Sequence, residues 1–235
     1  MMNIKFKTLI FLCFVFSLFK HSFAHELKKD EINSIIKSFI LDNPKIIEKT
    51  LQNLNLERSK KNFEIALAEL KKIPNPKLSS TNSDVTIYEF FDYNCGYCKS
   101  VMQNIFNIYK KDKKVEIVFV EYPILSNSSL SAAIASLAAR NQKKYFEFHS
   151  KLMRHTGKID DKLLISFAKD LKIDVEKLKS DYSNEKLMLI INKNREIANR
   201  LNLKGTPAFI IGNKIYPGAM SEKDIEKAIA LERKR

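Results

Sequence analysis

The chain has 235 residues, 45% of them hydrophobic, and a net charge of +14. It is long enough to bury a full core, and 5 glycines and 6 prolines are too few for a low-complexity chain. Its lysines are scattered, not interleaved with aromatics along a stripe, which argues against nucleic-acid binding.

Residues 1–24 read as a secretory signal peptide. Lys5 and Lys7 give a positive start, TLIFLCFVFSLF (8–19) is an apolar run, and Ser22 and Ala24 occupy small-residue cleavage positions. The run is shorter than the ~20 residues of a membrane span. Lys20 and His21 sit awkwardly before the cleavage site, so an uncleaved anchor stays open as the alternative. No other stretch is long and apolar enough to cross a membrane. Cys13 leaves with the signal, and Cys95 and Cys98 are then the cysteines of an exported chain. Export means an oxidising compartment, where a disulfide persists.

Residues 25–75 are expected to form a helical arm. Asp30 is a plausible N-cap, and Ile32, Ile35, Ile36, Phe39 and Ile40 fall on one face. LDNPK (41–45) ends that helix, and Asp42 or Asn43 caps a second that runs to about Lys72 with Pro44 in its first turn. The apolar stripes of these helices need a partner: the main body, or a second copy of the chain in a homo-oligomer.

IPNPKLSSTNSD (73–84) has linker composition. VTIYEFF (85–91) is a strand, the segment after Cys95 a helix to about residue 111, and VEIVFVEYPI (115–124) the next strand. A helical block follows over about 127–203, with Asp160, Asp161 and Asp174 as N-cap candidates. KGTPAFIIGNKIYPG (204–218) reads as two short strands around Gly212–Asn213, and Ser221 caps a final helix. The order β-α-β, helical block, β-β-α over residues 83–235 describes an α/β domain, a thioredoxin fold with a helical insertion.

FDYNCGYCK (91–99) places Cys95 and Cys98 at the strand-to-helix turn of a βαβ unit, the setting of a redox pair. A zinc site needs about four ligands, and His149 and His155 lie far along the chain, so no metal and no cofactor is expected. Copper binding by the thiols remains a secondary possibility. A disulfide across so short a loop removes little chain entropy, so Cys95–Cys98 reads better as a switch than as a staple. Cys95 sits where helix N–H groups and the macrodipole favour a thiolate, so its pKa is expected below that of a free thiol. Cys95 is then the attacking thiolate and Cys98 the resolving one.

Glu89 shares a strand face with Val85, Ile87 and Phe91. Buried there, its carboxyl is raised by desolvation and carries a proton to or from Cys98; the bland alternative is a partly exposed strand charge. Pro207, preceded by Thr206, leaves an unpaired backbone edge to which an extended substrate adds as a strand.

EFFDYNCGYCK (89–99), AARNQKKYFEFHSKLM (138–153) and GTPAFIIG (205–212), in that order, resemble the DsbA-like family of exported thiol–disulfide oxidoreductases. The resemblance implies a cis bond at Thr206–Pro207 facing the active-site pair, a buried acid at Glu89, and a structural role for His149. It also implies a periplasmic location, substrates that are cysteine-containing exported proteins, and a membrane redox partner that resets the pair. DsbA oxidases carry Pro-His between the cysteines and Val before the cis-proline. Gly96–Tyr97 and Thr206 look instead like DsbC-type isomerases and imply a less oxidising pair. LDNPKIIEKTLQNL (41–54) resembles the oligomerising arm of ScsC-like members. The expected activity is disulfide exchange with isomerase character; a simple disulfide-donating oxidase and a thioredoxin-fold binding module or holdase are the alternatives.

Overall fold

A computed structural model describes residues 28–234. The expected signal peptide, its cleavage near Ala24 and Cys13 lie outside those residues. The chain divides into two compact units between Glu57 and Arg58, inside the second helix.

In the first unit, α1 spans Lys29–Asp42. Its cap is not Asp30, which lies within the first turn. Lys28 takes the N-cap position, and its backbone N–H donates to the Glu31 carboxylate at 3.1 Å. Helix α2 spans Pro44–Leu70. Asn43 does not cap it through its side chain. The Asn43 amide instead donates back to the Phe39 carbonyl at 2.9 Å, so it closes α1. Proline supplies the fixed φ that a first turn needs. Ile32, Ile35, Ile36, Phe39, Ile40 and Leu51 are all exposed.

The second unit is built on a five-stranded sheet of order β1-β3-β2-β4-β5. The strands are β1 (Lys77–Leu78), β2 (Val85–Phe91), β3 (Val115–Glu121), β4 (Ala208–Ile211) and β5 (Lys214–Pro217). Strands β2 and β3 are parallel and the other pairings antiparallel. Two expectations change here. The linker contributes edge strand β1, because Lys77 and Leu78 pair with Val118 and Ile117. Strand β3 stops at Glu121, short of the Ile124 expected, since Pro123 cannot donate to a ladder.

The helices are α3 (Gly96–Lys111), α4 (Asn127–Arg140), α5 (Tyr145–Arg154), α6 (Asp161–Asp170), α7 (Val175–Tyr182), α8 (Glu185–Arg200) and α9 (Glu222–Glu232). Asp160, Asp174 and Ser221 accept from the N–H three residues on and cap α6, α7 and α9; Asp161 is the first helical residue of α6 instead of a cap. Gly212 takes φ 58° in the β4–β5 turn, a conformation that glycine adopts without strain.

Side chains alternate across the sheet and split the core in two. Val85, Ile87, Phe91, Ile117, Phe119 and Phe209 join α3, α9 and the helical insertion in the larger cluster. Tyr88, Phe90, Val118, Val120 and Ile210 pack with Ala66, Leu67 and Leu70 of α2 and Ile197 and Ala198 of α8. The last turns of α2 thus belong to the core of the second unit. Its cysteine-bearing loop leaves the C-terminal end of β2, at the centre of the sheet.

Candidate active site

Strand β2 delivers the loop Asp92–Cys95 to the start of α3. Cys95 is the N-cap, and the Cys98 N–H donates to its sulfur at 3.4 Å. Both cysteines are free thiols. Cys98 is fully buried, and Cys95 is 6% exposed. The dipeptide between them is open to solvent, with Tyr97 72% exposed.

The Thr206–Pro207 peptide bond is cis. The chain there lies against the pair: the Cys95 thiol donates to the Thr206 carbonyl at 3.2 Å. Thr206 and Pro207 lead directly into β4, which pairs with β2. The sheet thus brings together two segments that are far apart in sequence.

Glu89 is buried at 2% exposure, in register with Phe119 on β3 and Phe209 on β4. It is not a solvated strand charge. Removal from water disfavours its ionised form and pushes the carboxyl up to about 8. Burial likewise pushes the Cys98 thiol up, and the Glu89 charge adds to that shift. The Glu89 carboxyl is thus near enough for its charge to act on the Cys98 sulfur.

The loop before Cys95 carries buried polar groups that the sequence reading did not single out. The Asp92 carboxylate accepts the Asn94 N–H at 2.7 Å, the Ile124 N–H at 2.9 Å and the Leu125 N–H at 3.0 Å. It ties the cysteine loop to the β3–α4 connection. The Asn94 amide donates to the hydroxyls of Ser126, Ser128 and Ser129 at 2.8–3.0 Å. The Tyr93 hydroxyl lies 2.9 Å from the Glu121 carboxylate and 3.0 Å from His149 Nδ1. Tyr145 donates to the same Glu121 oxygen at 2.8 Å. Period two along β3 puts Glu121 on the face of Ile117 and Phe119, the signal that identified Glu89 and could have identified Glu121. For Asp92 the signal is weaker: an Asx residue two before Asn94 can bond that residue's N–H. His155, also considered as a metal ligand, lies elsewhere, at the end of α5, where its carbonyl accepts from Lys99 at 2.8 Å. Among the described residues no group of three or more His, Cys, Asp and Glu is placed to hold a metal.

The arrangement suits thiol chemistry. A sulfur at a helix N-terminus meets unpaired N–H groups that stabilise negative charge. A second thiol lies one turn along, and a buried carboxyl, Glu89, acts on it electrostatically.

A family model described as Thioredoxin matches residues 74–230. The chain is 27% identical over 171 residues to Disulfide bond formation protein D of Bacillus subtilis, covering 68% of this chain and 77% of that one. The crystal structure of the thiol-disulfide exchange protein alpha-DsbA2 from Wolbachia pipientis is 28% identical. It covers 74% of this chain and 96% of its own, with a TM-score of 0.69. A linker-deletion mutant of Proteus mirabilis ScsC covers 90% of this chain and 99% of its own, with a TM-score of 0.68. At 22% identity that last likeness is one of fold. The chain belongs to the thioredoxin family, in the DsbA-like form whose fold carries a helical insertion.

Proposed function

We propose that this protein is an exported thiol–disulfide oxidoreductase with isomerase character, acting on cysteines of other exported proteins. The observation that carries the reading is the Cys95 sulfur, held at the N-cap of α3 and against the Thr206 carbonyl beside Pro207. The Cys95 thiolate attacks one sulfur of a substrate disulfide and releases the other as a thiolate, leaving a mixed disulfide. Cys98 then loses its proton to Glu89 and attacks the Cys95 sulfur. The substrate leaves as a dithiol, and Cys95–Cys98 becomes a disulfide; the same steps in reverse oxidise a substrate. In isomerisation a different thiolate of the substrate attacks the substrate sulfur of the mixed disulfide and expels Cys95 as the thiolate, so a new substrate disulfide forms and no net electrons move.

Three features favour isomerisation. Gly96–Tyr97 contributes no histidine to stabilise the thiolate, so the pair is less oxidising than in DsbA. Thr206 precedes Pro207, as in DsbC-type isomerases. The exposed apolar residues of α1 offer a surface for self-association through residues 25–75, and clustered sites would hold a misfolded substrate while Cys95 attacks. A periplasmic location and a membrane redox partner follow from the same reading. The name of the Bacillus relative favours a second one, a disulfide-donating oxidase.

Scrambled ribonuclease and reduced ribonuclease, assayed in parallel, separate the two. An isomerase regains activity from the scrambled enzyme; an oxidase is fast only on the reduced one. Cys95→Ser abolishes both activities. If Cys95→Ser keeps full function, the protein is a binding module and the proposal fails.

A further inference from the structure

The buried group around Tyr93 is larger than a packing role requires. Tyr93 is 1% exposed and Glu121 and His149 are each 1% exposed, yet all three are polar. They come from three elements: the cysteine loop, β3 and α5. The Tyr93 hydroxyl faces Glu121 and His149 at hydrogen-bond distance, with Ser136 and Tyr145 beside it. Glu121 Oε1 takes hydrogen bonds from both Tyr93 and Tyr145. His149 Nδ1 lies 3.0 Å from the Tyr93 hydroxyl oxygen and bonds it in the direction its tautomer sets. Burial keeps His149 neutral, lowered to about 3, and raises Glu121 well above the carboxylate range. The His149 ring is fixed edge-on against Phe91 and Phe119, both at 5.0 Å, and stacked on Tyr145 at 5.7 Å. A hydroxyl fixed from both sides on rigid elements is an anchor, and it sits two residues before Cys95.

We propose that Tyr93 is a positioning residue for the thiol pair: its hydroxyl, fixed between Glu121 and His149, sets the loop that holds the Cys95 sulfur against the Thr206 carbonyl. The anchor matters more in one redox state. In the disulfide form, the bond from Cys95 to Cys98 fixes Cys95 covalently to α3. In the dithiol form packing and hydrogen bonds hold it instead. Loss of the Tyr93 hydroxyl therefore weakens the dithiol more than the disulfide. The reaction read is protein dithiol plus oxidised glutathione giving protein disulfide plus two reduced glutathiones. This inference rests on the proposed thiol exchange.

The test is Tyr93→Phe in the full chain, with the glutathione equilibrium constant and the denaturant stability of both redox forms measured. The expected result is a shift toward the disulfide of about threefold or more, with the dithiol form losing more stability than the disulfide. Tyr182→Phe removes a hydroxyl that donates to the Ser131 carbonyl at 3.1 Å and does not bond the cysteine loop. It should destabilise both forms alike and leave the equilibrium unmoved. His149→Phe keeps a ring and removes the nitrogen that faces Tyr93; it should shift the equilibrium in the same direction as Tyr93→Phe, and it decides the matter if Tyr93→Phe does not fold. The proposal is overturned if Tyr93→Phe weakens both forms equally with the equilibrium unchanged, or if Tyr182→Phe shifts it as far. A wild-type chain that exchanges no disulfide overturns the functional reading itself, a result distinct from either of these.

Discussion

Replacing Glu89 by Gln tests the proton acceptor assigned to Cys98. The carboxyl ionises near 4.5 in an unfolded chain and is pushed up to about 8 by burial in the fold. Between those values the unfolded chain has released this proton and the folded chain still holds it. Ionisation therefore favours unfolding. The stability that neutral Glu89 secures is fully present below pH 4.5 and is lost as pH rises toward 8. At roughly 1.4 kcal/mol per pH unit, the loss approaches about 4 kcal/mol between pH 5 and pH 8. Gln has no proton to release. Any packing or hydrogen-bond cost of the amide is the same at both pH values and cancels in the comparison. Guanidinium unfolding of the reduced protein at pH 5 and pH 8 should show the variant gaining on wild type by that amount. A second readout is kinetic. The rate at which a mixed disulfide on Cys95 is resolved by Cys98 should rise toward pH 8 in wild type, as Glu89 becomes able to accept the proton. In Glu89→Gln that inflection disappears, and the rate at pH 7 falls by tenfold or more, on the order expected for a lost general base. Parallel unfolding curves together with an unchanged resolution rate would refute the assignment.

Two further changes address the arm and the loop. Removal of residues 25–57 should leave the glutathione equilibrium unchanged, give a monomer by light scattering and lower scrambled-ribonuclease repair; extending the cut through Leu70 takes away buried Ala66, Leu67 and Leu70 and should cost about 3 kcal/mol or more in denaturant unfolding. Asp92→Ala leaves the N–H groups of Asn94, Ile124 and Leu125 without their acceptor and should lower unfolding stability by about 3 kcal/mol, whereas Asp92→Asn, which keeps one acceptor oxygen, loses less.

The elements that repeat a local signal were legible. Period two marked β2 and the face of Glu89, capping residues marked α6, α7 and α9, and the glycine turn marked β4–β5. The proximity of Thr206 to Cys95 was legible only through the family resemblance, because 111 residues separate them and no local pattern encodes that distance. Edge strand β1 was not legible. Two residues carry no periodicity, and their pairing depends on the exposed edge that β3 presents. The break between α1 and α2 at Asp42–Pro44 was legible in LDNPK, but the role of Asn43 was not, because an Asp or Asn before a helix looks the same in sequence whether its side chain caps forward or closes the helix behind it. Asn43 does the latter.

The two buried carboxyls show why sequence position alone does not assign a role. Glu89 and Glu121 lie on neighbouring strands and the same sheet face, with Glu89 opposite Phe119 and Glu121 opposite Phe91. Both are raised by burial. Their surroundings then diverge. Glu121 accepts two tyrosine hydroxyls and is locked in a network that joins β3, α5 and the cysteine loop. Burial alone sets Glu89, at about 8. A group poised there can take and return a proton near neutral pH, whereas a group bound by two hydroxyls serves better as an anchor. The same residue type, one strand apart, thus suits a proton acceptor for Cys98 in the one case and a fixed point for the Cys95 loop in the other.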